Sequence, residues 1–311
     1  MAKSRFPADR GLTARMMTTV FLLGLLYAVF IVVLFAFHIS LALILIVGFG
    51  ILFVQYFYSD KIALYSMGGK IVTREQEPQL HGIVDRLVAM ADMPKPLVAI
   101  AQSDMPNAFA TGRNQTHAVV CVTTGLLRRL DEKEVEAVLA HELSHVAHRD
   151  VAVMTIASFL GIMAGLMTRV LDWSGLFGGF RGGNRSRNGN SGGNAAMFEF
   201  GMLIVSAIIY AISFMLIRTL SRYRELAADR SGAILIGQPQ LLAQALVKVS
   251  GEMARIPTRD LRSAEHFNAF YFAPALAPGV SLSTLFATHP PLQKRLDALS
   301  KLDAEMRRPI S

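Results

Sequence analysis

Four apolar runs divide the chain, and any fold it adopts has to give them somewhere to go. The first extends from Met17 to Phe37 behind Lys3, Arg5, Arg10 and Arg15, and is long enough to cross a bilayer as a helix. His38-Ile39-Ser40 leads straight into a second run, Leu41 to Tyr58, where a secretory leader would instead show a small-residue cleavage site. The two runs therefore read as a tight helical hairpin. By the positive-inside preference its basic N-terminus stays in the cytoplasm, and the chain after about Asp60 returns there. A third run, Val151 to Met167, and a fourth, Met197 to Ile217, enclose a Gly/Asn/Arg-rich stretch from Gly178 to Gly193. That stretch can bury almost nothing and reads as disordered. If both runs span, Arg181, Arg185 and Arg187 face away from the cytoplasm, so a re-entrant or surface-packed pair stands as the alternative.

Composition supports a membrane class: 52% of residues are hydrophobic and 17% charged, with a mean hydropathy of +0.41. The net charge of +8 does not point to nucleic acid. Its arginines lie beside the apolar runs, in the Gly-rich stretch and at the C-terminus, with no interleaved basic and aromatic groove. Membrane topology and anionic lipid account for that charge. The single Cys121 excludes an internal disulfide, and its place in Val119-Val120-Cys121-Val122 reads as a buried structural cysteine.

Between Lys61 and Asp150 the pattern is that of a soluble α+β unit. It has helical periodicity near Leu80 to Met90, strands at Leu97 to Ala101 and Ala118 to Val122, and a turn at Arg113-Asn114-Gln115. Within it stands His141-Glu142-Leu143-Ser144-His145, an H-E-x-x-H pattern. Asp131 and Glu134 supply a capping box for a helix through it. Four-residue spacing puts both imidazoles on one helical face, able to converge on one ion, with Glu142 beside the open coordination position as general base.

A catalytic zinc normally takes a third protein ligand. A histidine six residues beyond the second would fall at Val151, which excludes that zincin class. The downstream candidates are Asp172, beside the Gly-rich stretch, Glu199, at the start of an apolar run, and Glu225. Glu225 has the better setting, because Asp229 lies four residues on and shares its helical face, a ligand followed by a carboxylate able to orient an imidazole. A solvated helix with ion pairs would show the same spacing; the H-E-x-x-H upstream favours the ligand. Downstream, His289 before Pro290-Pro291 is a candidate donor to the oxyanion, and Arg295 a candidate partner for a carboxylate near the site.

These motifs, with Asn107-Ala108-Phe109-Ala110-Thr111-Gly112 and Thr288-His289-Pro290-Pro291, resemble the HtpX family of membrane zinc metallopeptidases, whose wider relatives include the CAAX prenyl-protein proteases. The resemblance implies a gluzincin-like catalytic domain, one zinc per chain, and cytoplasmic catalysis at a bacterial inner membrane in quality control of membrane proteins under stress. The long Gly178 to Gly193 stretch departs from the family pattern.

The expected organisation is a mainly helical α+β membrane protein. Residues 1–60 form the hairpin, and 61–150 the first part of the catalytic domain, with the zinc helix. Residues 151–217 form the second apolar pair with its loop at 178–193, and 218–311 the second part, with the third ligand. Residues 107–112 are expected to form an edge strand that binds extended polypeptide by strand addition. Alternatives are a CAAX-type protease sharing the catalytic residues, and a membrane-anchored factor that binds zinc without turnover. Glu142 argues against the last, since binding zinc needs no general base. An intramembrane protease is disfavoured by the polar lead-in Asp131 to Glu136.

Overall fold

The computed structural model describes residues 10–36, 46, 50, 53–54, 56–150, 153–154, 191–253 and 290–307. Most of the second run, nearly all of the third, residues 178–190 and His289 lie outside the described residues. The helices are α1 (Arg10–Ala36), α2 (Ser59–Met67), α3 (Pro78–Ala91), α4 (Thr124–Arg129), α5 (Glu132–Ala147), α6 (Ser191–Ile236), α7 (Pro239–Met253) and α8 (Leu292–Met306). The strands are β1 (Gly69–Ile71), β2 (Leu97–Ala101), β3 (Ala108–Asn114) and β4 (His117–Thr123).

The chain divides into two compact units, one of Met17–Phe53 and Met154–Thr219, the other of Met1–Met16, Val54–Val153 and Leu220–Ser311. Among the described residues two helical segments are long and apolar enough to cross a membrane, Thr13–Val32 within α1 and Leu203–Ile236 within α6. The first unit inverts the soluble pattern. Phe21, Val32, Phe200 and Met215 are exposed, while Thr19, Ser206 and Ser213 are buried. Ser213 donates back to the Tyr210 carbonyl at 2.9 Å, which satisfies its hydroxyl inside the helix. Large apolar side chains facing outward suit lipid rather than water.

The fourth run was expected from Met197 with Ser191 to Gly193 in the disordered stretch, yet α6 already includes Ser191-Gly192-Gly193. Extending an existing helix costs only propagation, and each glycine adds roughly 1 kcal/mol against alanine, which a long apolar helix tolerates.

In the second unit the sheet runs β1-β2-β4-β3, with β2 and β4 parallel and both outer pairs antiparallel, leaving β3 at an edge. The period of two sorts the strands between two layers. Val98, Ile100, Val120 and Val122 join Leu87 of α3, Leu139 and Leu143 of α5, Leu246 of α7 and Leu299 of α8 in one core. Ala99, Ala101, Phe109, Val119 and Cys121 face the opposite side, against Ala63 of α2. Small residues on that second face let α2 lie close. Cys121 is fully buried there and its thiol is pushed up to about 12 by burial, so it packs rather than reacts.

The β3–β4 turn falls one or two residues later than expected. Asn114 remains in β3, and its Oδ1 accepts from the Thr116 and His117 backbone N–H groups, closing the turn at Gln115-Thr116. A bulge lies between Gly112 and Asn114, with Gly112 at φ +141°. A Cβ there would stand 2.1 Å from the His117 carbonyl oxygen, so only glycine fits.

Candidate metal centre

The central helix of this unit, α5, is buried along most of its length. Its start is locked by the capping box: Glu134 N–H donates to Asp131 Oδ1 at 2.9 Å, and Asp131 N–H to Glu134 Oε2 at 3.0 Å. Lys248 of α7 pairs with buried Glu134 at 2.5 Å. Val135, Val138, Leu139 and Leu143 fill the core, and the helix carries His141, Glu142 and His145 on its remaining face.

Helix α6 lies directly against that face. At Gly232 an added Cβ would fall 2.7 Å from the His141 backbone nitrogen, so the two backbones touch where only glycine allows it. Ser144 Oγ bridges the crossing, 2.7 Å from the His141 carbonyl oxygen and 3.4 Å from that of Ala228. The approach brings Glu225 and Asp229 to the two histidines.

His141 Nε2 and His145 Nε2 are 3.2 Å apart, with ring planes at 87°. Glu225 offers Oε2 at 3.7 Å from the first nitrogen and Oε1 at 3.5 Å from the second. Ligand atoms from these three residues all lie within 4.8 Å of one another. His141 Nδ1 stands 2.9 Å from Asp229 Oδ1, and His145 Nδ1 2.5 Å from Asp150 Oδ2. An ionised carboxylate can only accept, so in the neutral rings each Nδ1 carries the proton and each Nε2 keeps its lone pair. With both rings in that tautomer, two nitrogen lone pairs and a carboxylate face one shared space. A donor set of that kind suits a cation. Ligands about 2.0–2.1 Å from a tetrahedral zinc stand about 3.4 Å from each other, close to the separations found. The residues fit a metal. The His145 and Glu225 side chains retain 12% and 10% exposure against 1% for His141, so the opening lies on their side.

Arg295 of α8 is buried and grips Asp229 with two hydrogen bonds, Nε to Oδ2 at 2.8 Å and Nη2 to Oδ1 at 2.6 Å. Burial disfavours its charge, but Asp229 outweighs that and holds the guanidinium above its usual range. Its Nη1 lies 3.9 Å from Glu225 Oε2. Arg295 thus pairs with a carboxylate beside the site, as its position suggested.

Asp150 and Arg224 were not singled out in the sequence. Asp150 takes Arg224 Nη2 at 2.9 Å on the same oxygen that faces His145. Burial alone would raise its carboxyl pKa, but Arg224 and His145 hold it well below the usual carboxylate range. The signal available was an Asp five residues after the second histidine; its partner is distant in sequence.

Glu142 is 5% exposed. Its Oε2 accepts the Ala110 N–H at 3.0 Å, which ties the helix to edge strand β3. Gln115 Nε2 donates to the Ala147 carbonyl at 3.1 Å, holding the far end of that strand against α5. Asn107, just before β3, is buried, with its carbonyl and N–H engaged by Thr123. Ala108, Phe109, Ala110, Thr111 and Gly112 pair along β4, and Ala110 also reaches Glu142 through its N–H.

Burial pushes the Glu142 carboxyl up to about 8 in the metal-free protein. In the unfolded chain it releases its proton near 4.5. Between those values the folded state binds more protons, so stability falls as pH rises from about 4.5 through about 8. Thermal melts of chelated wild type and Glu142→Gln should coincide near pH 4.5 and diverge above it, the variant being the more stable. Parallel pH profiles would contradict the buried-carboxyl assignment.

An H-E-x-x-H helix crossed by a carboxylate-bearing helix, in a chain with membrane-length apolar helices, defines a membrane metallopeptidase. The family model Peptidase family M48 matches residues 74–303. The chain belongs to that family and is a metalloendopeptidase. It is 56% identical over 304 residues to Protease HtpX homolog 1 of Streptomyces coelicolor, covering 98% of this chain and 97% of the relative. It is 51% identical to Protease HtpX homolog of Moorella thermoacetica (96% and 97% covered) and 48% identical to Protease HtpX homolog 2 of Methanosarcina mazei (98% and 99%). Among solved structures it is similar to Ste24p of S. mikatae, with a TM-score of 0.50 and 18% identity over 94% of this chain and 66% of that one. That likeness is one of fold.

Proposed function

We propose that the chain is a zinc-dependent endopeptidase with a gluzincin-like catalytic domain, cleaving misfolded or unassembled membrane proteins and unfolded segments at the cytoplasmic face of a bacterial inner membrane. The observation that carries this reading is the convergence of His141 Nε2, His145 Nε2 and the Glu225 carboxylate beside Glu142. Two imidazoles and one carboxylate with an open position suit hydrolytic zinc better than iron or manganese. In this reading residues 61–150 and 218–311 make up the catalytic domain, and 1–60 and 151–217 the multi-pass membrane part.

Zinc held by His141, His145 and Glu225 supplies a lowered water pKa and a polarised substrate carbonyl. Glu142 takes the proton of the attacking water and carries it to the leaving amine. The Ala110 N–H fixes its carboxylate. Asp229 keeps the His141 ring in the tautomer that leaves Nε2 bare. Edge strand β3, within Asn107, Ala108, Phe109, Ala110, Thr111 and Gly112, takes an extended segment by strand addition. Backbone pairing of that kind reads little side-chain sequence, which suits unfolded substrates. His289 donates to the developing oxyanion.

Full-length protein purified in detergent under chelation should cut unfolded casein when zinc is restored and stop when it is removed. One zinc bound with neither casein nor a membrane-protein substrate cut would favour the non-proteolytic reading. For sidedness, Glu132→Cys, at an exposed position, should label in spheroplasts only after the inner membrane is permeabilised. Labelling of intact spheroplasts would overturn the cytoplasmic placement.

A further inference from the structure

Asp229, read above as the carboxylate that orients His141, stands 2.9 Å from its Nδ1. The centre contains a second set of the same composition. Asp150 Oδ2 lies 2.5 Å from His145 Nδ1 and 2.9 Å from Arg224 Nη2, and both Asp150 and Arg224 are buried. Each candidate ligand histidine is thus backed by an aspartate, and each aspartate by an arginine: His141–Asp229–Arg295 and His145–Asp150–Arg224.

The backbone that delivers Asp150 carries strain. Helix α5 ends at Ala147 with His148 as its cap, and Arg149 takes a left-handed conformation, φ +56°, with its N–H on the Val146 carbonyl. A non-glycine residue there costs on the order of 1 kcal/mol. The reversal brings Asp150 back to the ring five residues earlier. Strain persists where surrounding contacts over-determine it, and here those contacts are His145 and Arg224. Arg224 in turn precedes Glu225 in the same turn of α6.

We propose that Asp150 and Arg224 are positioning residues of the metal centre, orienting His145 and coupling its ring to the turn of α6 that carries Glu225. The proposal rests on the zinc reading given above. An ionised Asp150 fixes the Nδ1–H tautomer of His145 and its rotation. Arg224 keeps the carboxylate aimed at the ring, and because it acts through Asp150 its effect should vanish when Asp150 is gone.

The test is the zinc dissociation constant of full-length protein in detergent, measured by competition with a chromophoric chelator, together with the melting temperature of the zinc-free form. Asp150→Asn should weaken zinc binding roughly 10- to 100-fold, the range for lost partners of ligating histidines. Arg224→Gln should weaken it by a smaller factor and Arg224→Lys least. The Asp150→Asn, Arg224→Gln double variant should match Asp150→Asn alone. Arg230→Gln, which removes an arginine paired with Glu305 on α8, should leave zinc affinity unchanged. If Asp150→Asn does not fold, the comparison of Arg224→Lys with Arg224→Gln carries the same test. A plain inter-helix ion pair would lower the zinc-free melting temperature and leave the zinc affinity of folded protein where it was; that result overturns the proposal. Zinc uptake by wild type and its loss in His145→Ala separate the two readings. Wild type that takes up no zinc overturns both, whereas normal uptake with unchanged affinity in Asp150→Asn overturns only this one.

Discussion

Replacing Glu142 with glutamine should reduce peptide hydrolysis by roughly 10²- to 10⁴-fold while the protein keeps its metal, the range for a lost general base. That corresponds to about 3–5 kcal/mol of barrier. The substitution preserves shape, and the new amide oxygen can still accept the Ala110 N–H that now reaches Oε2 at 3.0 Å. None of the three candidate ligands is touched, so zinc content should stay at one per chain. What disappears is the carboxylate that accepts the proton. Casein turnover and metal content measured on the same preparation check this. Turnover near the wild-type rate would move the proton-transfer role away from Glu142, and loss of metal would mean that Glu142 holds the ion rather than serving beside it.

Gly232→Ala should have an effect of similar size by a mechanical route. Its Cβ would meet the His141 nitrogen at 2.7 Å, with the Ala140 carbonyl carbon and His141 Cα each at 2.9 Å, all backbone of α5. Backbone in a packed helix cannot step aside, so α6 must move away, with an overpacking cost of about 1–3 kcal/mol. Asp229 lies one turn and Glu225 two turns before Gly232, on the same face, so displacement draws the carboxylates away from both imidazoles. The expected outcome is a folded protein with zinc affinity lost and activity with it. Gly251→Ala is the matched control, since a Cβ there meets nothing within 4 Å and alanine favours the helix. If Gly232→Ala binds zinc and turns over like wild type, the helix contact does not set the ligand geometry.

The convergence of His141, His145 and Glu225 was legible because each member sits in a helical pattern whose period can be counted. Four-residue spacing fixes a shared face, and of the downstream candidates Glu225 alone is followed by an aspartate one turn on. The capping box at Asp131 and Glu134 was readable for the same local reason, as were β2 and β4 from their β-branched runs. What escaped depends on contacts between distant segments. Arg224 reads as one more arginine in a basic helix until Asp150 comes back against it through the left-handed turn at Arg149. Gly232 looks like a mild helix defect until α5 lies on it. The three-residue β1 is too short to show a period and exists because β2 pairs with it. The β3–β4 turn moved because Asn114 can bond the turn with its side chain while its backbone stays in the strand.

The central claim is that one zinc sits between His141, His145 and Glu225, and X-ray absorption at the zinc edge of detergent-purified protein tests it most directly. The expected spectrum has nitrogen and oxygen neighbours at about 2.0–2.1 Å with the outer-shell signature of two imidazoles, and one imidazole fewer in His145→Ala if that variant retains metal. A sulfur neighbour near 2.3 Å, or a spectrum unchanged when His145 and Glu225 are replaced, would contradict it.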